Sequence, residues 1–184
     1  MLSLFTPTHD CTYLTEAYNS LKLQTVENWE WVLLPNGPKA NIPEAIARDP
    51  RVKIVTLEGR SLHNIGALKR AACDAATGSA FVEFDHDDLL MPGDTLASIE
   101  KKFQEGAGFV YSDAAVFRYR PGDTPGFNRY CYSQAHGWQE YEVSVYGRKL
   151  LATEAFDVTP RSLCEIYYAP DHVRCWSRKA YYEA

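Results

Sequence analysis

The chain has 184 residues, 46% of them hydrophobic and 23% charged, with a net charge of −5. That length fits one domain with a core large enough to need no disulfide or metal staple. The negative charge argues against a broad nucleic-acid-binding surface, because such surfaces are basic.

Leu2–Thr6 is a short apolar run suited to a buried strand, with Pro7 as its end. From Thr12 to Gln24, Leu14, Ala17, Tyr18 and Leu21 recur at helical spacing, and Thr12 is placed to cap the helix. Trp31–Leu34 is a second strand, closed by the turn Pro35-Asn36-Gly37-Pro38. A short helix over Asn41–Arg48 and a third strand over Val52–Thr56 follow. Leu62–Thr77 reads as a helix with Ile65, Leu68, Ala72 and Ala76 on one face and Gly78 as its stop. Ala80–Phe84 is a fourth strand running into Asp85-His86-Asp87-Asp88, and after Met91-Pro92 another amphipathic helix carries Leu96, Ile99 and Phe103. Phe109–Tyr111 and Ala114–Tyr119 are two further strands. Beyond them Pro121 to Gly126 forms a loop, and the stretch to about Thr159 is irregular, with one or two hairpins.

Strands alternating with helices predict an α/β fold, with a mostly parallel central sheet flanked by helices and an irregular C-terminal part. Ligands of such sheets sit at the carboxyl ends of the strands. The segments Thr8-His9-Asp10, Asn36-Gly37 and Asp85-His86-Asp87-Asp88 are therefore expected to face one crevice.

No apolar run reaches the roughly 20 residues of a membrane-spanning helix. Met1-Leu2-Ser3-Leu4-Phe5 lacks the basic start and long apolar stretch of a signal peptide, so a cytoplasmic protein is expected. The five cysteines form no Cys-x-x-Cys pair, which points to reduced, mostly buried thiols rather than a zinc or dithiol site.

Three carboxylates within four residues repel one another and raise each other's pKa unless a cation compensates. A hard divalent ion such as Mg²⁺ or Mn²⁺ suits them, since it takes one or two carboxylates and completes its shell with water and phosphate oxygens. His86, at the middle of the cluster, is expected to point away from the carboxylates on either side. An acidic turn after a strand is also ordinary solvated loop chemistry, so the cluster alone does not decide between the two readings.

Five segments together resemble the nucleotide-sugar glycosyltransferases of family 2, which have the Rossmann-like GT-A fold. The opening Leu2 to Asp10 resembles that family's first strand and its Pro-Thr-Tyr-Asn turn. Ser20-Leu21-Lys22-Leu23-Gln24-Thr25 resembles its Ser-Leu-x-x-Gln-Thr segment, and Glu30 to Leu34 its second strand. Asn64-Ile65-Gly66 with Lys69-Arg70 is similar to its Asn-x-Gly-x-x-x-Ala-Arg-Asn segment, and Gly78 to Pro92 to its Asp-x-Asp-Asp block. A later segment, Ala169 to Trp176, looks like part of some members.

The resemblance implies a metal-dependent, inverting transfer of sugar from a nucleoside-diphosphate sugar, UDP-sugar favoured, to a saccharide, lipid-linked or protein acceptor. Residues 1–118 would bind the donor, and 119–184 would be an irregular acceptor-side part of the same domain. Asp87 would bind Mn²⁺ or Mg²⁺, and Asp85 would contact the ribose or help with the metal. Pro7, Thr8 and His9 would line the base pocket, with Asn36, Asn64 and Lys69 also at the donor nucleotide. Asp113, His172 and Arg174 are candidates for sugar or acceptor contacts.

Three departures stand out. Asn36 replaces an aspartate that accepts a hydrogen bond from uracil; an asparagine accepts through its carbonyl but carries no charge. Lys69 replaces an arginine and loses the bidentate fork. No residue matches the family's catalytic base, which would lie beyond residue 184. A non-catalytic nucleotide-sugar-binding domain or fragment is therefore the main alternative. A nucleotidyltransferase would want a glycine-rich basic loop where Thr6-Pro7-Thr8-His9-Asp10 stands, and a dehydrogenase would want a Gly-x-Gly-x-x-Gly that is absent.

Overall fold

The structure, a computed structural model, describes residues 1–57, 64–115, 138–165 and 170–184. They fall into two compact units, residues 1–110 with 175–184, and residues 111–174.

Strand β1 (Leu2–Asp10) is buried from Leu2 to Thr8 and pairs in parallel with β2 (Trp29–Lys39) from Leu2↔Trp29 to Thr8↔Pro35. It runs through Pro7 rather than stopping there. The fourth strand pairs only with Leu2 to Phe5, so Pro7 lies beyond that ladder, where a missing N–H forfeits no bond on that side. Helix α1 spans Leu14–Lys22. Thr12 does not cap it; its N–H and hydroxyl both donate to Asp10 Oδ1, 2.8 and 2.5 Å away, an Asx-type turn that joins β1 to the helix.

The turn signal Pro35-Asn36-Gly37-Pro38 is realised inside β2 rather than at its end. Between Thr8↔Pro35 and Asp10↔Lys39 the register shifts, because β2 uses four residues where β1 uses two. The surplus bulges out and carries Asn36 and Gly37 with it. Helix α2 (Glu44–Ala47) starts only after Pro43, and β3 (Val52–Ile54) pairs in parallel with β2.

Helix α3 spans Ile65–Ala75, and the Asn64 side chain caps it by accepting from the Ala67 N–H at 3.0 Å. The expected start at Leu62 lies outside the described residues. Gly78 is not the helix stop. The cap residue Ala76 is already extended, and Gly78 is needed two residues later for close approach: a Cβ there would fall on Ser3 Oγ and 2.6 Å from the Met1 carbonyl. Strand β4 (Ala80–Glu83) then pairs in parallel with β1, and α4 (Thr95–Gln104) and β5 (Phe109–Tyr111) follow.

In the second unit, β6 (Ala114–Ala115), β7 (Glu140–Val145) and β8 (Arg148–Thr153) form an antiparallel sheet in the order β6-β8-β7, and α5 spans Pro160–Glu165. The β7–β8 hairpin lies in the stretch read from sequence as irregular with one or two hairpins. Trp138 is 1% exposed, and its ring meets that of Phe156 edge to face at 4.7 Å. The expected continuation of β6 to Tyr119 and the Pro121 to Gly126 loop lie outside the described residues.

The chain closes with β9 (Arg174–Ser177) and α6 (Arg178–Glu183), which periodicity did not predict. The large sheet has the order β3-β2-β1-β4-β9-β5. On one face of its parallel strands, Phe5, Val32, Leu34 and Phe81 pack against Leu68, Ala72 and Cys73 of α3. The other set of alternating residues, including Leu4, Trp31, Leu33 and Phe84, is equally buried. The Trp31 ring lies 6.3 Å from Tyr18 of α1 and 5.9 Å from Phe84.

Gln24, buried at the end of α1, ties this layer together. Its Oε1 accepts from the Leu96 N–H at 3.1 Å and its Nε2 donates to the Met91 carbonyl at 2.8 Å. Four described cysteines are free thiols; Cys73 and Cys175 are buried, Cys11 is half-buried and Cys164 is exposed. Among the described residues no helix is long and apolar enough to cross a membrane.

Candidate functional site

Strands β2, β1 and β4 lie side by side and run in parallel, so the segments leaving their carboxyl ends open on one edge of the sheet. Strand β1 brings Pro7 and Thr8, both buried, and His9, which is exposed. The bulge in β2 brings the half-buried Asn36 and Gly37. Beyond β4 come half-buried Asp85, His86 and Asp88 and exposed Asp87.

These three segments touch. The rings of His9 and His86 meet edge to face at 4.9 Å with an interplanar angle of 90°. Gly37 lies against the His9 backbone so closely that a Cβ would come within 2.8 Å of the His9 carbonyl oxygen. The Thr8 hydroxyl donates to the Asp10 carbonyl at 2.9 Å, which fixes the end of β1 beneath His9. The Thr12 side chain and then its backbone N–H hold the Asp10 carboxyl below the usual carboxylate range, with smaller help from Lys39 and His86.

The Asp88 N–H donates to the Asp85 carbonyl at 3.2 Å, closing a turn that brings carboxylate oxygens of Asp85 and Asp88 within 4.8 Å of each other. Oxygens sharing one hard cation bind it at roughly 2.0–2.6 Å and so lie at most about 4–5 Å apart. Side-chain oxygens at that spacing, on a half-buried turn at the strand ends, could hold one metal ion. Exposed Asp87 lies on the same turn. Sequence reasoning assigns Asp88 no role, although the acidic run already contained it.

Lys69, on α3, reaches this turn from the side. Its ammonium pairs with Glu83 of β4 and lies 3.6 Å from Asp85 Oδ1. Asn64 occupies the cap of the same helix. Glu83 is 4% exposed and, like Asp88, has no role in the sequence reading. The available signal was a single acid inside the apolar run Ala80-Phe81-Val82-Glu83-Phe84, because a buried carboxylate needs a partner.

The second unit holds the remaining candidates. Exposed Asp113 accepts from the Tyr141 hydroxyl at 2.7 Å and from the Ala155 N–H at 2.8 Å, linking the segment before β6 to the hairpin and to the chain beyond it. That hydrogen bond, together with burial, pushes the Tyr141 phenol up to about 12. His172 Nε2 and Arg174 Nη2 are 2.6 Å apart.

Comparison with known proteins fits this arrangement. The model of the family described as "Glycosyl transferase family 2" matches residues 3–162. TarS of S. aureus (residues 1–349) superposes over 96% of this chain and 46% of its own length, with a TM-score of 0.61 and 18% identity. The same protein in complex with UDP-GlcNAc aligns over 56% of this chain and 31% of its own, at 25% identity and a TM-score of 0.50. The mannosyltransferase PcManGT of Pyrobaculum calidifontis, in complex with GDP-Man and Mn²⁺, aligns over 60% of this chain and 34% of its own, at 22% identity and a TM-score of 0.52. The chain thus spans less than half the length of these structures. No curated protein matches it. With the family model covering most of its length and a GT-A sheet beneath the acidic turn, the chain belongs to glycosyl transferase family 2.

Proposed function

We propose that this chain carries the donor site of a metal-dependent, inverting glycosyltransferase acting on a nucleoside-diphosphate sugar, with UDP-sugar favoured. The observation that carries this reading is the meeting of His9, Gly37 and the acidic turn at the carboxyl ends of adjacent parallel strands, where open α/β sheets bind nucleotides. Family membership and the nucleotide sugars in two structural neighbours support the substrate class.

Pro7, Thr8 and His9 form the wall for the base, and Asn36 offers its carbonyl oxygen as an acceptor. Asn64 and Lys69 flank the nucleotide from α3. Asp85 and Asp87 would hold the metal, as the family resemblance implies, with Asp88 the other carboxylate of the turn near Asp85. Asp85 would also contact the ribose, and a bound Mn²⁺ or Mg²⁺ would supply Lewis-acid neutralisation of the departing diphosphate. Asp113, His172 and Arg174 serve the sugar or the acceptor hydroxyl, which belongs to a saccharide, a lipid-linked carrier or a protein. Acceptor activation is assigned to no side chain of this chain.

The test is substitution at the acidic turn. Asp87→Ala and Asp85→Ala should each abolish the Mn²⁺-dependent part of UDP binding, read by calorimetry, while the folded circular-dichroism signature persists. Unaltered metal-dependent binding in Asp87→Ala would sink the site assignment.

A further inference from the structure

Resting on the donor-site reading above, we infer that Glu83 is a positioning residue for the metal site, acting on Asp85 through Lys69. Glu83 lies on β4 two residues before Asp85 and shares a face with Phe81, the face that packs against α3. Its side chain is 5% exposed, that of Lys69 is 25% exposed and that of Asp85 is 33% exposed. One ammonium thus meets two carboxylates along a gradient of burial, from Glu83 to Asp85.

That order has a chemical consequence. A carboxylate removed from water needs a cation more than one at the surface does, so Glu83 takes the larger share of the Lys69 charge. Lys69 is thereby kept beside Asp85 without closing on it. Asp85 is oriented by a nearby positive charge that it shares with Glu83. With Glu83 neutralised, Asp85 is the remaining carboxylate of the two that Lys69 meets among the described residues, and a lysine ammonium competes with a metal for the same oxygen.

The geometry also bears on Lys69. Both of its contacts, to Glu83 and to Asp85, lie within the chain, so the effect of Glu83 should appear with metal alone, before any nucleotide is added.

The experiment titrates Mn²⁺ into the whole chain without nucleotide and reads free Mn²⁺ by its electron paramagnetic resonance signal. It compares wild type, Glu83→Gln, Lys69→Met and the double variant, with thermal unfolding as the check on folding. Glu83→Gln should weaken Mn²⁺ binding by about tenfold. In the Lys69→Met background the same change should leave the affinity within about twofold, since the competitor is gone. Equal losses with and without Lys69, or no loss in a folded Glu83→Gln protein, would overturn the positioning role and leave the donor site standing. Absence of Mn²⁺ binding in the wild type would instead overturn the metal-dependent reading, and the positioning role with it.

Discussion

Gly37 has no room for a side chain beneath His9: a Cβ would lie 2.8 Å from the His9 carbonyl oxygen and 3.0 Å from its Cα. The clash is with backbone, which has no rotamer to give. Gly37→Ala should therefore push the β2 bulge off the end of β1 and cost about 1–3 kcal/mol, the usual range for overpacking. Because Gly37 and His9 both line the proposed base pocket, nucleotide affinity should fall together with stability. Urea unfolding and a nucleotide titration on the same variant check both halves, and an unchanged midpoint would contradict the contact.

The buried indole of Trp31 offers a second test, away from the crevice. Its Nε1–H donates to Thr6 Oγ1 at 2.8 Å, and the Thr6 hydroxyl in turn donates to the Phe84 carbonyl, so one short relay links β2, β1 and the end of β4. Trp31→Phe removes the donor and leaves space between Tyr18 and Phe84. The expected loss is about 2–3 kcal/mol, combining a lost buried hydrogen bond with a small cavity. A urea midpoint that falls with an unchanged m-value is the expected signature; a shift below about 0.5 kcal/mol would show that the relay contributes little.

Stability should also depend on pH through Asp49. Hydrogen bonds from the Arg51 guanidinium hold its carboxyl well below the ordinary 3.8, against an opposing effect of burial and with further help from Tyr18. A carboxylate whose folded pKa is depressed stabilises fully above its unfolded pKa and loses that contribution as pH falls toward the folded value. The gap in unfolding free energy between wild type and Asp49→Asn should thus be full at pH 7 and shrink below about pH 4. A gap that stays constant from pH 7 to pH 2.5 would contradict the ion pair as its source.

Much of the parallel core was legible because its strands are buried on both faces and read as apolar runs. Trp31 to Leu34 and Ala80 to Phe84 are such runs, each next to a helix of clear period. The Pro35-Asn36-Gly37-Pro38 signal was also real, but a local turn and a bulge within a longer strand share the same residues, and only pairing with β1 distinguishes them. Gln24 shows a different limit. Its place in a family-like segment was visible, yet its work as a bridge to Met91 and Leu96 depends on contacts 67 and 72 residues away. Strand β9 is four residues, Arg174 to Ser177, with no alternation to betray it, and it finds its place only between β4 and β5. At the site, the acidic turn announced itself by charge density. The pairing of Lys69 with Glu83 did not, because the two meet across fourteen residues of chain.

The most direct test of the donor site is a calorimetric titration of UDP, GDP, CDP and dTDP into the chain with Mn²⁺, repeated with excess EDTA. Binding of one diphosphate, UDP first among them, that disappears with EDTA is the expected result, and its identity reports what Asn36 accepts. Binding of none of the four, or binding indifferent to EDTA, would contradict a metal-dependent nucleotide site at the carboxyl ends of β1, β2 and β4.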